Sequence, residues 1–161
     1  MRITLESDYA LRILTVMAEY GDIRDAKTIS ADTSVTIRFT LKILHKLVQA
    51  ELVESYKGVR GGYKLRKSPD SITLKEVIEL IDGPIAIARC VDSEESCSLN
   101  CDKTSCAYHH IFDTISIDLA KKLSKISISD VINKNCLVWG GVPSETAPLQ
   151  TAGYRKIKQS N

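Results

Sequence analysis

The chain of 161 residues has no run of eighteen apolar residues, so no segment of it is expected to cross a bilayer as a helix. Its opening stretch, MRITLESDYALRILTVMAEY, carries Glu6, Asp8 and Arg12 and lacks a continuous apolar segment followed by a small-residue cleavage site, which speaks against a secretion signal. A cytoplasmic protein with no membrane partner is expected. Lys and Arg number 22 against 20 acids, so the overall charge points to no partner. Also missing are paired carboxylates in a cleft-like context, a phosphate-binding glycine loop opening a helix, and a nucleophile motif; no enzyme is expected. The five cysteines include no pair of tight CxxC knuckles, and in a reducing compartment they point to metal binding or redox sensing rather than a disulfide framework.

What the chain does have is concentrated between Thr36 and Arg66, TIRFTLKILHKLVQAELVESYKGVRGGYKLR. Leu41, Leu44, Leu47 and Val48 recur at helical spacing and predict an inward face, leaving Arg38, Lys42 and Lys46 free to meet an anionic partner. Two β-prone runs follow, Val53 to Lys57 and Tyr63 to Arg66, joined by Gly58, Val59, Arg60, Gly61 and Gly62, whose glycines suit a hairpin tip. From Thr36 to Lys67 there are eight basic residues and two acidic ones, so the positive charge is local. A helix and an adjoining hairpin that share such a surface are the footprint of a duplex DNA binder. A solvated basic face without a partner is the bland alternative.

Ser7 is the expected cap of a first helix running to about Tyr20, with Gly21 as its stop. Two apolar stripes, one with Ala10, Leu14, Met17 and Ala18 and one with Tyr9, Ile13, Val16 and Tyr20, predict burial on two sides and hence a second covering surface such as another subunit. Ala26 to Asp32 reads as a short helix, and Thr33 to Val35 turn the chain into the next one, making a helix-turn-helix. Thr73 and Glu76 form a capping box for a helix that Gly83 and Pro84 end. A long amphipathic helix with Tyr108, Phe112, Ile115, Leu119 and Leu123 is a candidate dimer seam, and Ser127 with Asp130 caps a short last helix. The fold expected is mainly α with a small β-hairpin wing. It divides into a winged helix-turn-helix domain (1–84), a cysteine-rich loop (85–105), a dimerisation helix with a short terminal helix (106–135) and a flexible tail (136–161), in which Trp139 can dock on the body.

Cys90, Cys97, Cys101 and Cys106 fall within seventeen positions, spaced C-x6-C-x3-C-x4-C, in a stretch with many acids. As thiolates they can hold a soft metal centre. Spacing leaves an iron-sulfur cluster, a structural zinc and free thiols all open. His109, three positions after Cys106, shares its helix face and is a candidate fourth ligand, whereas His110 points elsewhere. His45 suits a phosphate contact or packing, and Cys136, in an apolar run, suits packing.

From MRITLESDYALRIL through LKILHKLVQAELVESYKGVRGGYKLRKSPDSITLKEVIELIDGP to ISISDVI, roughly residues 1 to 133, the sequence resembles the bacterial winged-helix transcription regulators typified by IscR, NsrR and CymR. The resemblance implies a homodimer on a partly palindromic double-stranded DNA operator, most simply a repressor, controlled by a [2Fe-2S] or [4Fe-4S] iron-sulfur cluster in the cysteine loop that senses nitric oxide, cluster supply or redox state. IscR-like members add a histidine to three cysteines, which matches His109. NsrR-like members add an aspartate from the partner's first helix, which matches Asp8. CymR-like members lack the cluster, and the four cysteines here speak against that branch. Cys90 and Cys106 match the outer ligands. Because the loop is longer than usual, Cys97 or Cys101 takes the middle place, or all four ligate. For DNA, Arg38 and Lys42 are the expected base or phosphate contacts, assisted by Thr36 and Thr40, with Arg60 at the wing tip. A zinc or thiol switch, or control by a protein partner, is the alternative.

Overall fold

The computed structural model describes residues 3–58, 60–92 and 103–133. Expectations for Val59, Cys97, Cys101, Cys136, Trp139 and the tail concern residues outside this set. The elements run α1 (Leu5–Tyr20), α2 (Ala26–Thr33), α3 (Ile37–Gln49), β1 (Val53–Tyr56), β2 (Gly62–Leu65), α4 (Leu74–Asp82), α5 (Arg89–Asp92), α6 (Ala107–Leu123) and α7 (Ile128–Ile132), with a 3-10 turn at Pro69–Ser71.

Helix α1 starts one turn earlier than expected. Thr4 is its cap, accepting from the Ser7 N–H, while Ser7 itself is buried inside the helix. Gly21 ends it with φ 67°, the left-handed conformation that glycine adopts without cost to a Cβ. Both apolar stripes of α1 are covered, but by one chain: α2 and α3 pack on it, and so do α4 and α7. The second covering surface expected from another subunit is thus supplied within the chain.

The core joins Ile13 and Leu14 of α1 to Ile29 of α2, to Ile43, Leu44 and Leu47 of α3, and to Val77 and Ile128 farther along. Ile128 makes α7 part of the same core as the first 84 residues. Helix α7 carries the full capping box expected of Ser127 and Asp130, each side chain bonding the other's backbone N–H. At α4 only half of the expected box forms. Thr73 accepts from the Glu76 N–H, while the Glu76 carboxylate pairs with Lys67 at 2.8 Å instead.

Strands β1 and β2 pair antiparallel, Val53 with Leu65 and Tyr56 with Gly62. Arg24 bridges the other edge of β2 by exchanging both backbone hydrogen bonds with Tyr63, which fixes the hairpin to the segment between α1 and α2. A Cβ at Gly62 would collide with the Arg24 carbonyl, so this close approach requires glycine. The result is a winged helix-turn-helix.

Candidate nucleic-acid interface and sensor site

Asp25 caps α2 through the N–H groups of Lys27 and Thr28, and Ser34, at φ 56°, turns the chain toward α3. The Ser30 hydroxyl and the Val35 N–H close the turn by bonding Val35 O and Ser30 O respectively. Beyond it, α3 is rotated from the expected register. Ile43 and Thr40 complete the inward face with Leu44 and Leu47, and Leu41 is 45% exposed rather than buried. Thr40 is therefore corrected as a DNA contact. It is 0% exposed, and its hydroxyl bonds the carbonyls of Thr36 and Val35 at 3.1 and 3.4 Å.

The outer face of α3 presents Arg38, Leu41, Lys42 and His45, all exposed. Thr36 precedes them at the N-cap, exposed and without a side-chain capping bond. Lys42 and Lys46 are not free as expected. Both pair with Glu6 of α1, Lys42 Nζ at 2.8 Å from Oε2 and Lys46 Nζ at 2.7 Å from Oε1. The hydrogen bond from Lys42, reinforced by Lys46, holds the Glu6 carboxyl below the usual glutamate value although burial opposes the shift. Sequence reasoning missed Glu6 as part of this surface; an acid in the first turn of α1 was the available signal.

On the wing, Arg60 is exposed at the tip, next to a turn closed by the Gly61 N–H on Gly58 O at 2.9 Å. Arg66 pairs with Glu51 at 3.4 Å. Of the eight bases counted in the sequence, Arg38, Lys57, Arg60 and Lys64 form no ion pair among the described residues. These four carry the unneutralised charge of the helix and wing.

The second site lies where α5 meets α6. Cys90 belongs to α5 and Cys106 caps α6; both are half-buried and neither is in a disulfide. The buried Ser116 hydroxyl accepts from the Ile87 N–H at 3.1 Å and so ties the segment leading to Cys90 onto α6. His109 is half-buried, and its Nδ1 is enclosed without a hydrogen-bond partner among the described residues. The His110 ring, by contrast, bonds Thr104 O at 2.8 Å. Asp8 pairs with Arg12 at 2.6 Å and lines an open cleft of about 770 Å³ with Ile3, Thr4, Leu5 and Leu11. Among the described residues no three His, Cys, Asp or Glu side chains converge as a metal site. Cys90, Cys106 and His109 thus lie on the two adjoining helices α5 and α6, and their thiols and imidazole are residue types suited to a soft metal centre.

Helix α6 leaves Tyr108, Ile111 and Ile115 exposed at helical spacing. No helix among the described residues is long and apolar enough to cross a membrane.

A family model described as Rrf2, iron-dependent transcriptional regulator, matches residues 3–134. The HTH-type transcriptional regulator NsrR of Bacillus subtilis is 25% identical over 135 residues, covering 82% of this chain and 90% of its own. Among solved structures, CymR, the global cysteine regulator of B. subtilis, superposes with a TM-score of 0.69 at 22% identity, over 83% of this chain and 98% of that one. T. potens IscR superposes with a TM-score of 0.65 at 15% identity, over 88% and 93%. At these identities the structural likeness establishes the winged-helix fold.

Proposed function

The chain belongs to the Rrf2 family, whose members are DNA-binding transcriptional regulators and not enzymes, and from that premise we propose a cytoplasmic homodimer whose operator affinity is switched by an iron-sulfur cluster. Two α3 helices enter successive major grooves of a partly palindromic operator, about 34 Å apart. Arg38 contacts base edges or neighbouring phosphates, Thr36 and Lys42 contact phosphates, and Arg60 reaches the backbone or minor groove from the wing. The apolar stripe of α6 supplies the dimer seam.

Cys90, Cys106 and one of Cys97 and Cys101 would hold the cluster, with His109 completing the set; if all four cysteines ligate, neither His109 nor Asp8 is needed. The observation that carries this assignment is the enclosed Nδ1 of His109, one helical turn from Cys106 and without a partner among the described residues. A buried nitrogen left without a partner costs stability unless something ligates or bonds it. Asp8 is the alternative fourth ligand, which would give up its pair with Arg12 to reach the cluster. When bound, the cluster supplies a group that reacts with nitric oxide and oxidants. The protein's part is to tie α5 to α6 through the thiols and so set the angle at which α6 leaves the body.

Anaerobic purification, followed by visible absorption and assay of iron and acid-labile sulfide, tests the reading. A brown protein with both elements is expected, and His109→Ala is expected to bleach it faster in air than Asp8→Ala. A chain that stays colourless after anaerobic reconstitution sinks the cluster assignment and leaves the same thiols to zinc or a thiol switch.

A further inference from the structure

The cations of α3 differ in how they are held. Arg38 has no ion pair among the described residues, whereas Lys42 and Lys46, one turn apart, both end on the single carboxylate of Glu6. Helix α3 has no acid of its own, so the carboxylate that pairs with Lys42 comes from another helix, 36 residues earlier in the chain. The Glu6 turn is anchored from behind. Thr4, which caps α1, donates through its N–H to Asp82 Oδ2 at 3.1 Å and through its hydroxyl to Asp82 Oδ1, at the end of α4. These bonds keep the first turn of α1 beside α3, so the carboxylate is in place before any DNA arrives.

We propose that Glu6 is a built-in competitor for DNA phosphate. It withholds Lys42 and Lys46 in the free protein, so that each lysine reaches a phosphate only by giving up its ion pair. The inference rests on the DNA-binding reading and refines it, because it makes Glu6 a positioning residue that lowers non-specific affinity while Arg38 remains available. Ion pairs at the surface, even part-buried ones such as these, can be surrendered to a phosphate-rich surface, but each one surrendered subtracts from the binding energy. Counterion release gives the exchange a measurable signature: every lysine newly placed on a phosphate steepens the dependence of log affinity on log salt by about 0.9.

The test compares the full-length protein with Glu6→Gln, which keeps the shape of the side chain, in the same loading state and against a long mixed-sequence duplex over a range of salt. The variant is expected to bind roughly five-fold tighter at low salt and to show a slope steeper by about 0.9 to 1.8. Lys42→Met, made alone and with Glu6→Gln, supplies a readout that a merely structural role for Glu6 does not move. It is expected to flatten the slope less in the wild type than in the Glu6→Gln background, where the flattening reaches about 0.9. Wild type and Glu6→Gln with equal slopes and affinities would overturn the competitor role alone. A flattening of the slope by Lys42→Met that is as large with Glu6 present as without it overturns it too, and this comparison remains if Glu6→Gln folds poorly. A wild-type protein without salt-dependent affinity for the duplex overturns both this inference and the DNA-binding reading.

Discussion

In α3, Ile43, Leu44 and Leu47 are withdrawn from solvent, whereas in α6, four residues longer, Tyr108 is 70% exposed, Ile111 52% and Ile115 47%, and only Ser116 is buried. Both helices carry apolar residues at helical spacing. The difference lies in their neighbours: α3 packs against α1, α2 and β1, while among the described residues α6 meets chiefly α4 and α5. A periodic apolar stripe therefore states that a helix has a face to cover but not whether its own chain covers it. The helix-turn-helix half is complete within one chain. The α6 half presents a surface that a second copy fits under the proposed dimer.

The comparison breaks most easily at α3. Leu47→Ala removes a fully buried side chain from the shared core and is expected to cost about 2–5 kcal/mol in urea denaturation. A loss as small as that of a surface substitution would mean that α3 is not packed as described. On the outer face of the same helix, Arg38→Ala is expected to leave folding unchanged and to weaken binding to an operator duplex by about 1–3 kcal/mol at fixed salt. Equal binding by wild type and variant would move base reading away from Arg38. The smallest effect on folding belongs to α6. Ile111→Glu combined with Ile115→Glu is expected to change the stability of the monomer fold by less than about 0.5 kcal/mol, while sedimentation shifts from dimer to monomer. If the doubly substituted chain sediments as the wild type does, the seam is elsewhere; if it unfolds, α6 is as much a core helix as α3.

Much of the fold was legible because its signals are local. Gly21 stopping α1, Ser127 and Asp130 boxing α7, and the glycine-rich turn between β1 and β2 each depend on residues within a few positions of one another. The errors arose where two local readings were equally good. Thr4 and Ser7 both offer a capping hydroxyl, and packing chose between them by burying Ser7. On α3 the expected stripe of Leu41, Leu44, Leu47 and Val48 shares two members with the observed one of Thr40, Ile43, Leu44 and Leu47, and a modest rotation separates them. That rotation exposes Leu41 and removes Thr40 from the interface.

The candidate sites divide in the same way. Spacing was enough to single out Cys90, Cys106 and His109, and composition enough to place basic charge on the helix and wing. That His109 Nδ1 is enclosed without a partner among the described residues, while His110 is satisfied by Thr104, depends on how α6 meets its surroundings. The sequence by itself determined the order of elements, their turns, and the stock of charges and thiols, because these follow from backbone preferences and side-chain chemistry over short distances. Only the tertiary structure decided which charges are free. The pairing of Glu6 with Lys42 and Lys46 joins residues that no short-range pattern relates, and it forms because packing α3 against α1 leaves one carboxylate within reach of two ammonium groups.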